Sequence, residues 1–136
     1  MSIRELTNDD LLELLPLYTS MVLSLDKEVN VFGAINTLVH EIATKEDFIA
    51  IGLFRKTELI GFMTGYCFAK KLFHFSGIYV KVKNNSGLKT LIEFCLDLIR
   101  DKGYSAWSSN ATNSNISSIM QKYGAKAVYT RFRGDL

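Results

Sequence analysis

The sequence is poor in the residues that announce a chemistry, with two cysteines, two histidines, one tryptophan and one proline in 136 residues. Cys67 and Cys95 lie far apart in apolar stretches, with no histidine at a metal-ligand spacing, so neither a disulfide framework nor a zinc site is indicated. Two buried thiols are expected. Excess charge is also missing: sixteen Lys and Arg stand against fourteen Asp and Glu. That balance argues against a protein that grips nucleic acid through its phosphates. No stretch reaches about 18 consecutive apolar residues, and MSIRELTNDD has neither the apolar run nor the cleavage site of a secretory signal. These absences predict a cytoplasmic chain without a membrane partner. Internal repeats, linkers and low-complexity segments are missing too.

What is present suits one domain spanning residues 1–136, with 48% of the chain hydrophobic and room for an ordinary core. "SIREL" reads as a short opening strand. Thr7 with Asp10 three positions on resembles a capping box, so a helix should begin near Asn8. Leu11, Leu14, Leu15, Tyr18, Met21, Val22 and Leu25 recur at helical spacing, and Pro16 inside the pattern predicts a kink or break. In "VFGAINTLVHEIAT", the residues Phe32, Ile35, Leu38, Val39 and Ile42 mark the expected buried face of a second helix.

From Asp47 the period changes. "FIAIGLF" and "LIGFMTGYCFA", joined across Arg55 to Glu58, predict a hairpin, and "FHFSGIYVKV" a further strand. A helix with a broad apolar face follows the turn Val82 to Leu88, and Gly103 stops it. "YSAWSS" reads as a strand, "ISSIMQKY" as a short helix ended by Gly124, and "AKAVYTRFR" as a closing strand. The order β α α β β β α β α β predicts an α/β domain with a mixed, mostly antiparallel sheet and helices on both faces.

This order resembles the GNAT superfamily of acyl-CoA-dependent N-acetyltransferases. Three stretches carry the resemblance: "LIGFMTGYCF", "GIYVKVKNNSGLKTLIEF" and "NSNISSIMQKYGAKAVY". It implies acetyl-CoA as co-substrate, held where the fourth and fifth strands splay apart, and transfer of acetyl to a primary amine of a small molecule or protein by direct attack. The pyrophosphate is then expected at the turn before the central helix, on Lys83, Asn84, Asn85, Ser86, Gly87 and Leu88, because a helix N-terminus offers amides at its positive end. Asn113 takes the place of an asparagine near the cofactor. A backbone amide within Ile78, Tyr79 and Val80 is expected to polarise the acetyl carbonyl, with Tyr79 or Val80 preferred.

The chain departs from the family pattern at identifiable positions. Ser86 and Leu88 stand where small residues, the first a glycine, approach the phosphate, so Leu88 is expected to crowd it. Met120 replaces a tyrosine that protonates the departing thiolate, and a thioether cannot donate. Tyr123 is the nearest substitute. "FHFSGIYV" has no carboxylate, which leaves His74 as the residue able to act as base. Asp26, Glu28 and Glu41, which can attract a cationic amine, read as solvated surface, as do Lys70 and Lys71.

Two alternatives follow from these departures: a catalytically degenerate GNAT-fold binding or structural protein, and a protein like the small GNAT-like members of bacteriophages, some virion-associated and some acting on DNA bases. A short C-terminus that left a sheet edge exposed would favour a homodimer. The terminal RGD triplet reads as chance.

Overall fold

A computed structural model describes residues 1–25, 30–81, 85–109 and 114–126. Strand β1 (Ser2–Glu5) leads through a 3₁₀ turn (Asn8–Asp10) into α1 (Leu11–Leu25), followed by α2 (Val31–Thr44). Next come β2 (Ile49–Arg55), β3 (Glu58–Ala69) and β4 (Leu72–Val80), then α3 (Asn85–Asp101), β5 (Ala106–Ser109) and α4 (Ser114–Lys122). The five strands lie in sequence order, each pair antiparallel except β4 with β5, which is parallel. Fold and element order match the expectation as far as α4. The closing strand expected beyond Lys126 lies outside the described residues, as does the RGD triplet.

The first helix is set at its start by Asp10. Its carboxylate accepts two N–H bonds from the Arg4 guanidinium, at 2.9 and 2.8 Å, and the Thr7 amide at 2.8 Å. Those charge-assisted bonds hold the Asp10 carboxyl well below the usual range. Pro16 does not break α1, which runs as one helix through it. Pro16 lies on the exposed side, opposite the buried Leu14, Leu17, Tyr18 and Met21. The one ladder bond a proline forfeits there falls on the solvent side, and the buried stripe holds the helix together.

The expected face of α2 is corrected more substantially. Leu38 is buried as expected, but Phe32, Val39 and Ile42 are exposed at 77%, 55% and 40%, and Ala34, outside the expected set, is 1% exposed. Positions 34, 38 and 41 therefore line the packed face, and Ala34 is small enough to bring the helix close. Glu41 comes inward with them.

Two cores sandwich the sheet. One face joins Leu14, Leu17, Tyr18, Met21, Ala34 and Leu38 of α1 and α2 to Phe54, Leu59 and Phe62. The other joins Leu88, Leu91, Ile92, Cys95 and Ile99 of α3, with Ile116, Ile119 and Met120 of α4, to Ile51, Met63, Phe73, Phe75 and Ile78. Cys95 is fully buried, as expected, and burial pushes its thiol up; Cys67 is only half-buried. No described helix is long and apolar enough to cross a membrane.

The ladder between β3 and β4 is irregular at one point that matters. Thr64 pairs with Gly77 and Gly65 with Phe75, so Ser76 is an extra residue, a β-bulge. Gly65 makes the close approach possible: a Cβ there would stand 2.5 Å from the Phe73 ring and 2.7 Å from the His74 carbonyl oxygen. Gly65→Ala is expected to destabilise the fold by about 1–3 kcal/mol through overpacking. Thermal unfolding checks this, and an unchanged melting temperature would contradict it.

Candidate active site

The sheet opens where the bulge lies. β4 and β5 pair from Leu72↔Ala106 through Phe73↔Trp107 and His74↔Ser108 to Phe75↔Ser109, and no further among the described residues. From Ser76 onward, β4 is paired among the described residues on its β3 side alone. The Lys81 amide donates to the Ile60 carbonyl at 2.7 Å, which makes Gly61↔Val80 a non-bonded pair of the antiparallel ladder. Alternation then turns the Tyr79 amide toward β3 and the Ile78 and Val80 amides toward the open edge. Of the two residues preferred from sequence for a carbonyl-polarising amide, Val80 faces the opening and Tyr79 faces its neighbour strand.

Helix α3 opens at Asn85, five residues past the end of β4, and so directs its positive end toward the same edge. Val82, Lys83 and Asn84 lie outside the described residues, as does Asn113. Ser86 is exposed and Gly87 buried. Leu88 is only 6% exposed and packs with Phe75, Ile78 and Leu91 in the α3 core. Its side chain is directed inward, into the core and away from solvent. Trp107 stands beside this edge, its ring 6.1 Å from that of Phe75.

On the opposite face, a polar chain crosses the bulge. The Ser76 hydroxyl donates to Glu41 Oε2 at 3.1 Å and lies 3.1 Å from the hydroxyl of Thr64, which is fully buried. With Ser76 donating to the carboxylate, Thr64 donates to Ser76. Burial raises the Glu41 pKa above its ordinary value, against smaller lowering effects of the Ser76 bond and of Lys45 and His40. Tyr18 and Tyr66 both feel the Glu41 charge, which adds to burial in raising their own pKa values. Lys45 places its ammonium 5.0 Å from the centre of the Tyr66 ring. Gly77 keeps the floor open, since a Cβ there would come within 2.8 Å of the Thr64 hydroxyl and 3.0 Å of the Met21 sulfur.

His74 lies at the rim of the opening, its Nδ1 2.8 Å from the Ser108 hydroxyl and its ring 5.5 Å from Tyr66 and 6.2 Å from Phe68. Burial holds its pKa below the usual value, so the imidazole is neutral at pH 7. Tyr123 is on the other face, donating its hydroxyl to Glu93 of α3 at 2.7 Å; that bond pushes its pKa up to about 12. The two residues assigned catalytic roles from sequence are therefore not brought together. Met120 is buried in the α3–α4 core. Asp26 and Glu28 lie outside the described residues. Lys71 serves the architecture, its carbonyl accepting the Ser105 and Ala106 amides at 3.0 Å and its ammonium donating to the Gly103 carbonyl at 3.2 Å.

A cavity of about 200 Å³ is lined by residues such as Leu6, Leu11, Ile42 and Phe48. None of its lining residues comes from β3, β4, α3 or β5, so it plays no part in this site. No group of three or more His, Cys, Asp or Glu among the described residues is placed to hold a metal ion.

Among the described residues, the sheet is mixed and parts between its one parallel pair of strands, beside the start of a helix. This is the fold of the GNAT acetyltransferases. No protein-family model matches the chain, and no curated protein sequence matches it significantly. Solved structures match it closely. A probable acetyltransferase aligns over 100% of this chain and 98% of its own with a TM-score of 0.78 at 15% identity. The ribosomal-protein-alanine N-acetyltransferase of Brucella melitensis biovar Abortus 2308 aligns over the full length of both chains with a TM-score of 0.74 at 21% identity. The PaiA N-acetyltransferase of Thermoplasma acidophilum, solved in complex with coenzyme A, covers 90% of this chain and 86% of its own, with a TM-score of 0.63 at 18% identity.

Proposed function

We propose that the protein is an N-acetyltransferase that moves acetyl from acetyl-CoA to a primary amine by direct attack. The observation that carries this reading is the termination of β4–β5 pairing at Phe75, which leaves the Ile78 and Val80 amides on an open edge next to the start of α3. An extended pantetheine arm fits such an edge as an added strand, bonding main chain to main chain. Ser86, Gly87 and the start of α3 then receive the pyrophosphate, with Lys83, Asn84, Asn85 and Asn113 as further contacts. The inward packing of Leu88 supports this, because its side chain does not compete for the space.

Acetyl-CoA would supply the acetyl group as a thioester, and in this reading the Val80 amide, which faces away from β3, polarises its carbonyl. Direct attack asks chiefly for approximation and polarisation, so no protein nucleophile is required. The amine enters from the α1–α2 face, where His74 offers a neutral imidazole. Tyr123 remains the nearest phenol to the departing sulfur in sequence. Its bond to Glu93 and the burial of Met120 favour a second reading, in which the fold binds CoA without transferring acetyl.

Titration with acetyl-CoA tests the proposal. At a hundredfold excess over the dissociation constant, stability should rise by about 3 kcal/mol, read as a thermal shift. Thiol release in the presence of primary amines then separates transfer from binding alone. No thermal shift at millimolar acetyl-CoA would refute both readings.

A further inference from the structure

Resting on the acetyltransferase reading, we infer that Glu41 is the residue that binds the acceptor as a cationic primary amine carrying an apolar or aromatic group, and that it takes the first proton from that amine. Four observations converge on it. The carboxylate is half-buried on the packed face of α2, in register with Ala34 and Leu38. Ser76, the bulged residue at which β4 parts from β5, donates to its Oε2 and fixes its orientation. Oε1 has no hydrogen-bond partner among the described residues. Finally, Tyr18 and Tyr66 are near enough to feel the Glu41 charge, and the Lys45 ammonium already lies over the Tyr66 ring, so the same surroundings accept a cation on an aromatic face.

The chemistry is a single proton transfer. An ammonium R–NH3+ gives one proton to the Glu41 carboxylate, leaving R–NH2 with a free lone pair and a neutral carboxylic acid, which returns the proton to solvent. Desolvation brings the carboxyl closer to neutrality and makes it a better base than a solvated glutamate. The groups facing it are Tyr18 from α1, Tyr66 from β3, Ser76 from β4, and His40 and Lys45 from α2 and its C-terminal end. Lys45 and His40 oppose the upward shift, but burial outweighs them.

The stability sign separates this role from a structural one. A carboxyl whose folded pKa lies above its unfolded value favours folding most when protonated, and that contribution is lost as pH rises through the folded value. At pH 7.5, Glu41→Gln is therefore expected to leave the melting temperature unchanged or raised, so loss of activity cannot be put down to unfolding.

The experiment uses the full chain, benzylamine as probe, and protein labelled with 13C at the glutamate carboxyls. The Glu41 signal, identified by its loss in E41Q, should titrate above the ordinary carboxylate range, and added benzylamine should shift it in a saturable way. E41Q should bind benzylamine at least tenfold more weakly and acetylate it about 100-fold more slowly, with acetyl-CoA affinity unchanged. E41D should recover part of the rate, and E13Q, far out on α1, should match wild type. A Glu41 signal that benzylamine does not move would overturn the inference, and so would E41Q activity within threefold of wild type, or a pH profile that responds to H74Q and not to E41Q. If benzylamine shifts Glu41 while acetyl-CoA gives no thermal shift, the amine site stands and the acetyltransferase reading falls. If acetyl-CoA binds and the Glu41 signal does not move, the reverse holds.

Discussion

Replacing Phe73 with alanine is expected to lower the unfolding free energy by about 3–5 kcal/mol, the usual cost of emptying a buried aromatic position. Phe73 is fully buried and meets Phe75 and Tyr104 edge-on, with ring centres 5.2 and 5.1 Å away. It also pairs in the ladder with Trp107 of β5. The site gives the cavity little chance to close, because the Phe73 ring is the group that Gly65 admits to close contact, and the strands on either side fix its backbone. Native domains have only about 5–15 kcal/mol in reserve, so about a fifth or more of the total would be lost. Urea unfolding with an unchanged m-value measures it. Phe73→Leu, which refills most of the volume, should cost markedly less. A loss under about 1 kcal/mol for the alanine variant would mean that the β4–β5 junction is softer than its packing indicates.

Val80→Pro is expected to reduce acetyl transfer by about 100- to 1000-fold, the range seen when one preorganised donor to a developing oxyanion is removed. Proline lacks the N–H and keeps most of the apolar bulk. Because the Val80 amide faces the open edge, the substitution removes no bond to β3, and an edge position tolerates proline. Tyr79→Pro is the matched contrast. Its amide belongs to the bonded Phe62↔Tyr79 pair, so that variant should lose stability directly. Thiol-release kinetics and thermal unfolding on the two variants give a crossed result: V80P folded and slow, Y79P destabilised. Wild-type turnover in V80P would show that the carbonyl is polarised elsewhere.

The elements were legible because each follows from local pattern. Thr7 and Asp10 set the start of the first helical segment, the apolar spacing of Leu14, Tyr18 and Met21 made α1, and two short apolar, β-favouring runs within residues 48–69 made a hairpin. The turn into α3 and its proximity to the strand before it were legible for the same reason, since residues adjacent in sequence need no tertiary information to be placed together. His74 was singled out because its chemistry is visible in isolation.

Glu41 was visible in the sequence and read as surface, because its place in the fold depends on which side of α2 packs. Hydrophobic periodicity points to Phe32, Ile35, Leu38, Val39 and Ile42 as that side. The structure buries Leu38 as expected but pairs it with Ala34, a small residue that lets α2 pack closely on α1, and leaves Phe32, Val39 and Ile42 outside. The same choice decides that Glu41 meets Ser76, a residue 35 positions away. The bulge that presents Ser76 is equally hidden from local pattern, because it is a mismatch between two strands and belongs to neither alone. Leu88 shows the converse case: a residue that stands in a turn motif by sequence alignment is found packed into the core.

The sequence by itself determined where helices and strands form and their order, including the passage from β4 to α3, because capping, periodicity and turn chemistry act over a few residues. Tertiary structure alone decided where the sheet parts, which amides face the opening, and which carboxylate is drawn in beside the bulge. Those are properties of pairs of elements, fixed by register and close packing between residues far apart in the chain.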